Sequence, residues 1–214
     1  MDRLIDLERV GVSLGGLPVL RGVDLGIGPG ESLGVTGPNG VGKTTLLRVV
    51  STLLAPDAGS GSVLGAALGT PEVYEVRWQI GFLQHRPSVI PELTLAENLR
   101  HAATLVGANA AKAEAALRVV GLEAVASRRA DDSSFGMLRR TEMARLLITA
   151  PKILLLDEPF SGLDIEAQEL IRALVDRTTS DGGAVVMVSH ESGQLASHTQ
   201  RLLPMALGSL EQQS

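Results

Sequence analysis

The stretch Gly37-Pro38-Asn39-Gly40-Val41-Gly42-Lys43-Thr44 constrains this chain more than any other. It matches G-x-x-x-x-G-K-[ST], a loop whose backbone wraps the phosphates of a nucleotide. Ser32-Leu33-Gly34-Val35 just before it reads as a short buried strand. Leu46, Leu47, Val50, Leu53 and Leu54 just after it recur at helical spacing. Gly37, Gly40 and Gly42 lack a Cβ, so the backbone can turn left-handed and bring its N–H groups to phosphate oxygens. A helix starting near Lys43 adds the positive end of its dipole. Lys43 has the reach for the β- and γ-phosphates, and the Thr44 hydroxyl can hold Mg²⁺. With Thr45 these residues form the expected nucleotide-binding set. An incidental glycine turn would lack the strand–loop–helix order.

The 214 residues suffice for one α/β domain. Apolar residues make up 44% and aromatics only 2%, so the core must be built from Leu, Val, Ile and Ala. A net charge of −5 without a basic run argues against a nucleic-acid partner. The absence of cysteine rules out disulfides and thiolate metal sites. No apolar run approaches the ~18 residues that span a bilayer. Met1-Asp2-Arg3 leads into a mixed segment without an apolar core, so no signal peptide is expected. Any membrane role is expected to be peripheral.

Leu4 to Val10, Val19-Leu20 and Asp24 to Ile27 read as short strands broken by glycine turns, an antiparallel β layer. Ala55-Pro56-Asp57-Ala58-Gly59 closes the helix after the phosphate loop, and Ser62 to Leu64 reads as a strand. Thr94 and Glu97 form a capping box ahead of a helical face of Leu95, Leu99, Ala102 and Val106. A second helix is expected from about 109 to 120 and a third from 136 to 150. Ile153-Leu154-Leu155-Leu156 is apolar throughout, as expected of a central parallel strand covered on both faces. Asp164 caps a further helix, Ala184 to Val188 form another strand, and the tail from about Gly208 is expected to fray. The expected organisation is one domain over 1–214. Residues of about 1–85 and 151–214 make a core with the β layer, and about 86–150 make a helical subdomain.

Asp157 and Glu158 follow the apolar run at the carboxyl end of a strand, where ligands sit in open α/β sheets. An acid there can hold the Mg²⁺ that bridges phosphates. Its neighbour can polarise water for attack on the γ-phosphorus.

At this point the chain resembles the ATP-binding subunits of ABC transporters. Phe160-Ser161-Gly162-Leu163-Asp164 after Asp157-Glu158-Pro159 is similar to that family's D-loop. Val188-Ser189-His190 is similar to its switch histidine. Ser133-Ser134-Phe135-Gly136-Met137, followed by Leu138-Arg139-Arg140 and Met143-Ala144-Arg145, is similar to its signature segment and helix. The resemblance runs from about Leu4 to Leu210. It implies an α/β fold of P-loop NTPase type, a mixed-sheet core with an antiparallel β layer and a helical subdomain.

It further implies an ATPase using ATP and Mg²⁺. Two subunits, identical or not, would pack head to tail, with Ser134 and Gly136 of one completing the Lys43 loop of the other. Glu158 would orient water, and His190 would sense the γ-phosphate. A separate integral-membrane permease would be the partner, placing the chain in the cytoplasm on the inner face of the cell membrane. A groove between the Gln84-His85 loop and the helical insert would receive that permease. The alternatives are a soluble ATPase of the same fold and a weakly hydrolysing nucleotide-dependent binding module. By themselves Ser134 reads as a helix cap and His190 as a strand-end polar residue; order and spacing give them their roles.

The chain departs from the family pattern at three places. Leu14 stands where an aromatic ring usually stacks on adenine, which would cost on the order of 1 kcal/mol of affinity. Ser133 and Phe135 stand where Leu and Gly are common, and a bulky Phe135 would hinder closure. Ile80-Gly81-Phe82-Leu83-Gln84-His85 is similar to the Q-loop but puts His85 where glutamine is usual, so Gln84 and His85 both remain candidates for Mg²⁺ or water. Within the family, the His85 pattern and Pro91-Glu92-Leu93-Thr94 through Asn98-Leu99 make the chain resemble the haem-exporter ATPases of cytochrome c maturation.

Overall fold

The computed structural model describes residues 3–211. Two strands open the chain, β1 (Ile5–Leu14) and β2 (Leu17–Ile27), antiparallel with Leu14 opposite Leu17. The turn between them is Gly15-Gly16, with φ of 57° and 79°, the left-handed pair that a two-residue hairpin requires. Separate short strands were expected here. The strands instead run through, because Ile5, Leu7, Val10 and Val12 together with Leu20, Val23, Leu25 and Ile27 bury one continuous face. Register shifts between Leu7 and Val10 and again up to Ser13 absorb the interruptions as bulges.

Strand β3 (Ser32–Thr36) is buried at every position, and helix α1 (Lys43–Val50) follows the phosphate loop. The helix stops short of Leu53 and Leu54, and Thr52 turns left-handed at φ 61°. Ala58-Gly59, expected to close that helix, begin strand β4 (Ala58–Val63), which pairs with β1 on its other side. With β5 (Ala66–Ala67) they complete a four-stranded antiparallel sheet, order β2-β1-β4-β5. A short helix α2 (Val73–Val76) and a 3₁₀ turn lead into β6 (Ile80–Leu83).

Helices α3 (Leu95–Leu105), α4 (Ala110–Val119) and α5 (Phe135–Thr149) come next. The capping box forms as expected: Glu97 N donates to Thr94 Oγ1 at 3.2 Å and Thr94 N to Glu97 Oε2 at 2.8 Å. Helix α5 ends at Ala150, whose φ is 45°, just before Pro151. Strand β7 (Ile153–Asp157), helix α6 (Ile165–Ser180), strand β8 (Ala184–Ser189), helix α7 (Ser192–Ala196) and strands β9 (Arg201–Ala206) and β10 (Ser209–Leu210) finish the chain. Their six-stranded sheet has the order β10-β9-β3-β8-β7-β6, parallel except at β10.

Strand periodicity divides the interior between the two faces of this sheet. Ile153 and Leu155 of β7 face α1 and the antiparallel sheet. Leu154 and Leu156 face the layer of α3, α4, α5 and α6. The expected fraying from Gly208 does not occur within the described residues. Ser209 and Leu210 pair with Ala206 and Met205, Arg21 N donates to the Gly208 carbonyl at 2.9 Å, and Ser209 Oγ donates to the Arg21 carbonyl at 2.6 Å. Gln212-Gln213-Ser214 lie outside the described residues. Among the described residues no helix is long and apolar enough to cross a membrane.

Candidate active site

Strand β3 delivers the chain into the phosphate loop at Gly37. Its φ is 154°, and a Cβ there would come 2.5 Å from the Met205 carbonyl, so only glycine fits. Gly42 caps α1 with φ 116°. Helix α1 therefore starts at Lys43, with no acidic residue in its first turn to offset the positive end of its dipole. Lys43 is buried, and its Nζ donates to the Gly37 and Pro38 carbonyls at 2.7 and 3.1 Å. An ammonium has three donors, which leaves one for a phosphate oxygen.

Thr44 Oγ1 donates to Asp157 Oδ2 at 2.9 Å, joining the loop to the carboxyl end of β7. Burial pushes the Asp157 carboxyl above the usual carboxylate range, and the Thr44 hydrogen bond pulls it partly back. A hydroxyl and a carboxylate converging in this way are the hard oxygen donors that suit Mg²⁺. The described residues contain no group of three or more His, Cys, Asp or Glu able to hold a metal by themselves. A divalent ion here would draw its remaining ligands from water and phosphate, the usual state of protein-bound Mg²⁺.

Glu158 turns out of the strand at φ 47°, a left-handed conformation that strains a non-glycine residue. Its Oε2 accepts from Ser189 Oγ at 2.7 Å and its Oε1 from His190 N at 3.0 Å; His190 Nδ1 lies 3.1 Å from Oε1. Burial pushes this carboxyl up, but the hydrogen bonds from Ser189 and His190 outweigh it and hold Glu158 below its ordinary value. The carboxylate is therefore ionised at neutral pH, as a proton acceptor must be.

One cleft of about 710 Å³ gathers Asn39, Gly40, Gly42, Lys43, Thr44 and Thr45 with Asp157, Glu158 and His190. Gln84 and His85 both line it, at the carboxyl end of β6, so the geometry leaves both as candidates. Gly37, Pro38 and Val41 belong to the loop without lining the cleft. Leu14 and Val19 form an apolar part of its wall. Arg48, Arg86 and Ser161 also line it, and Ser189 holds Glu158 from behind; sequence reasoning assigned none of these four a role. Arg48 follows Thr44 by one helical turn, so the spacing carried that signal, whereas Arg86 sits in a loop without periodicity. A second cavity of about 550 Å³, lined by Arg3, Asp24 and Arg201 among others, holds no expected site residue.

Ser134 and Gly136 do not line the cleft. Ser134 caps α5, its Oγ accepting from Met137 N at 3.3 Å, and Gly136 has open space where a Cβ would stand. Phe135 between them is 47% exposed. Arg140 ties α5 to the start of α6: its Nη2 donates to both Asp164 oxygens at 3.0 and 2.9 Å and to Glu166 at 3.2 Å. Asp164 caps α6 by accepting from Ala167 N at 2.8 Å.

The family model for the ABC transporter matches residues 20–161. The chain belongs to the ABC transporter family. It is 39% identical over 185 residues to the cytochrome c biogenesis ATP-binding export protein CcmA of Cupriavidus necator, covering 85% of this chain and 80% of that protein. It is 35% identical over 217 residues to the lipoprotein-releasing system ATP-binding protein LolD of Bacteroides thetaiotaomicron, covering 97% and 99%. Among solved structures it is similar to a dimeric ATP-binding cassette in a post-hydrolysis state bound to ADP and Pi. The TM-score is 0.87 at 28% identity, with 98% of this chain and 97% of that one covered. As an ABC family ATP-binding subunit of α/β fold, the chain binds ATP and is an ATPase.

Proposed function

We propose that this ABC ATPase powers transport through a separate integral-membrane permease, on the cytoplasmic face of the membrane, and that it works as a head-to-tail dimer. The observation that carries the proposal is a division of labour in space. Lys43, Thr44, Asp157, Glu158 and His190 share one cleft, whereas Ser134 and Gly136 lie outside it at the exposed start of α5. A second subunit turned end to end would bring its own Ser134 and Gly136 to the open side of that cleft. The dimeric state of the ADP- and Pi-bound neighbour supports this arrangement, as do the transport-linked names of the relatives.

In this mechanism the loop N–H groups, the start of α1 and the free donor of Lys43 grip the β- and γ-phosphates. Thr44 and Asp157 would hold Mg²⁺, with Gln84 or His85 nearby, and the chemistry supplied there would be neutralisation of phosphate charge. Glu158 accepts the proton of the attacking water as its oxygen bonds to the γ-phosphorus and the bond to ADP breaks. His190 holds the Glu158 carboxylate and senses the γ-phosphate. Leu14 and Val19 offer adenine apolar contact. The chain acts as one unit, with a core and β layer over about 1–85 and 151–214 and a helical segment over about 86–150 that presents a groove beside the Gln84-His85 loop to the permease.

The test is light scattering of the Glu158→Gln variant with and without Mg-ATP, together with pull-down from membranes. Mass doubling with Mg-ATP and capture of a multi-span protein are expected. A variant that stays monomeric with and without that protein overturns the dimer. Capture of soluble proteins alone overturns the permease.

A further inference from the structure

Helix α5 carries three long charged side chains at i, i+3 and i+6, residues that share one helical face. Arg139 Nη1 donates to the Gln84 carbonyl and lies 3.3 Å from Glu142 Oε2; Arg139 Nη2 reaches the Asp157 carbonyl at 3.5 Å. Glu142 Oε1 accepts from Ser88 N at 2.8 Å. Arg145 Nη2 donates to the Phe82 carbonyl at 3.2 Å. Both ends of the loop that bears Gln84 and His85 are thus held by side chains of a single helix. The same Arg139 also touches the backbone of the strand that ends at Asp157.

The pair is fully interior, with side-chain exposures of 2% for Arg139 and 0% for Glu142. Burial draws the Arg139 guanidinium below and pushes the Glu142 carboxyl above their ordinary values. The Nε atoms of Arg139 and Arg145 are buried without a partner. Such a network contributes little net stability, since apolar replacement of a buried ion pair is often neutral or stabilising. Its effect lies instead in where it puts the backbone.

We propose that Arg139 and Glu142 are positioning residues for ATP hydrolysis, pinning the 84–88 loop to the carboxyl end of β7 and so setting where Gln84 and His85 stand relative to Asp157. This rests on the cleft being the hydrolytic site. Because α5 also presents Ser134, the same pins tie the placement of that serine to the placement of the loop. Neither side chain lines the cleft, so both act through Gln84, Ser88 and Asp157 and not on the nucleotide.

Two variants test the proposal. Arg139→Met/Glu142→Leu replaces the pair with apolar side chains. Arg139→Lys keeps the charge but cannot span the Gln84 carbonyl, Glu142 and the Asp157 carbonyl at once. Each is measured for thermal midpoint, for kcat and KM with ATP, and for backbone hydrogen exchange over residues 84–90. The expected result is an unchanged midpoint, faster exchange confined to 84–90, and kcat lowered about 10- to 100-fold with KM near the parent's, the scale of a slightly misplaced group. Parental kcat, or lowered kcat without faster exchange over 84–90, overturns the proposal. If the double variant does not fold, Arg139→Lys decides alone by the same criteria. Glu158→Gln measured alongside separates the two levels: parental turnover in that variant refutes the site, whereas an inactive Glu158→Gln beside an unaffected Arg139→Lys refutes only the pins.

Discussion

Ser189 Oγ donates to Glu158 Oε2 at 2.7 Å and accepts from Glu191 N at 3.1 Å, so one buried hydroxyl links the proposed proton acceptor to the backbone beyond β8. It holds one carboxylate oxygen while His190 holds the other.

Ser189→Ala removes a bond that lowers the Glu158 pKa, so the acid limb of the ATPase pH profile is expected to move to higher pH. The sign for stability follows from linkage. A carboxyl whose folded-state pKa lies below its unfolded value adds stability above the unfolded pKa and loses it as pH falls through the folded one. The variant should therefore be less stable than the parent at neutral pH, and the two should converge in acid. Urea unfolding at a series of pH values checks this, and an unmoved acid limb would refute the role of Ser189.

Glu158→Gln should bind Mg-ATP yet lose on the order of 10²–10⁴-fold in turnover, the usual contribution of a positioned proton acceptor. Steady-state phosphate release beside nucleotide binding measures both. Retained turnover would show that another group takes the proton.

Thr44→Val keeps the shape of the side chain but removes the hydroxyl that meets Asp157 at 2.9 Å. The Mg²⁺ concentration giving half-maximal ATPase activity should rise about 10- to 100-fold, the range seen when an oxygen supporting a metal is lost. A titration of Mg²⁺ at fixed ATP that returns the parental midpoint would remove Thr44 from the site.

Phe135→Gly should strengthen ATP-dependent dimerisation in the Glu158→Gln background. Phe135 is 47% exposed at the first position of α5, where the proposed dimer contact would need a small residue. Sedimentation of the two backgrounds with Mg-ATP decides it; equal dimer fractions would retire the idea.

Leu155→Ala should cost about 2–5 kcal/mol, the range for a large-to-small change in a filled interior. Leu155 is fully buried in the middle of β7, on the face turned toward α1 and the antiparallel sheet. The urea midpoint reports it, and a change under 1 kcal/mol would indicate that the neighbours close the gap.

Where the determinants are local, the sequence alone was enough. The phosphate loop, the apolar run of β7 and the Thr94 and Asp164 caps are each written in a few consecutive residues. The site was harder wherever it depends on chain crossing from elsewhere. Gln84 and His85 point to the cleft only through the family resemblance, and nothing in Arg86 itself signals that it lines the same cleft as Lys43. Strand β9 contains Pro204 and begins with exposed Arg201, so its alternation is weak, and it becomes a strand because β3 pairs with it. Helix α5 hides its character differently. Arg139, Thr141 and Glu142 are buried, so it has no apolar stripe, and its charged residues look solvated until the loop backbone they grip is in place.

Strand β3 hydrogen-bonds on one side to β8 and on the other to β9. Both partners, Ala184–Ser189 and Arg201–Ala206, follow the loop that β3 feeds at long sequence separation. During synthesis the strand that feeds the phosphate loop therefore stays unflanked until residues 184–189 and 201–206 have emerged. Long-range parallel pairing of this kind is intrinsically slow to form, so the placement of the phosphate loop is expected to be among the late events of folding.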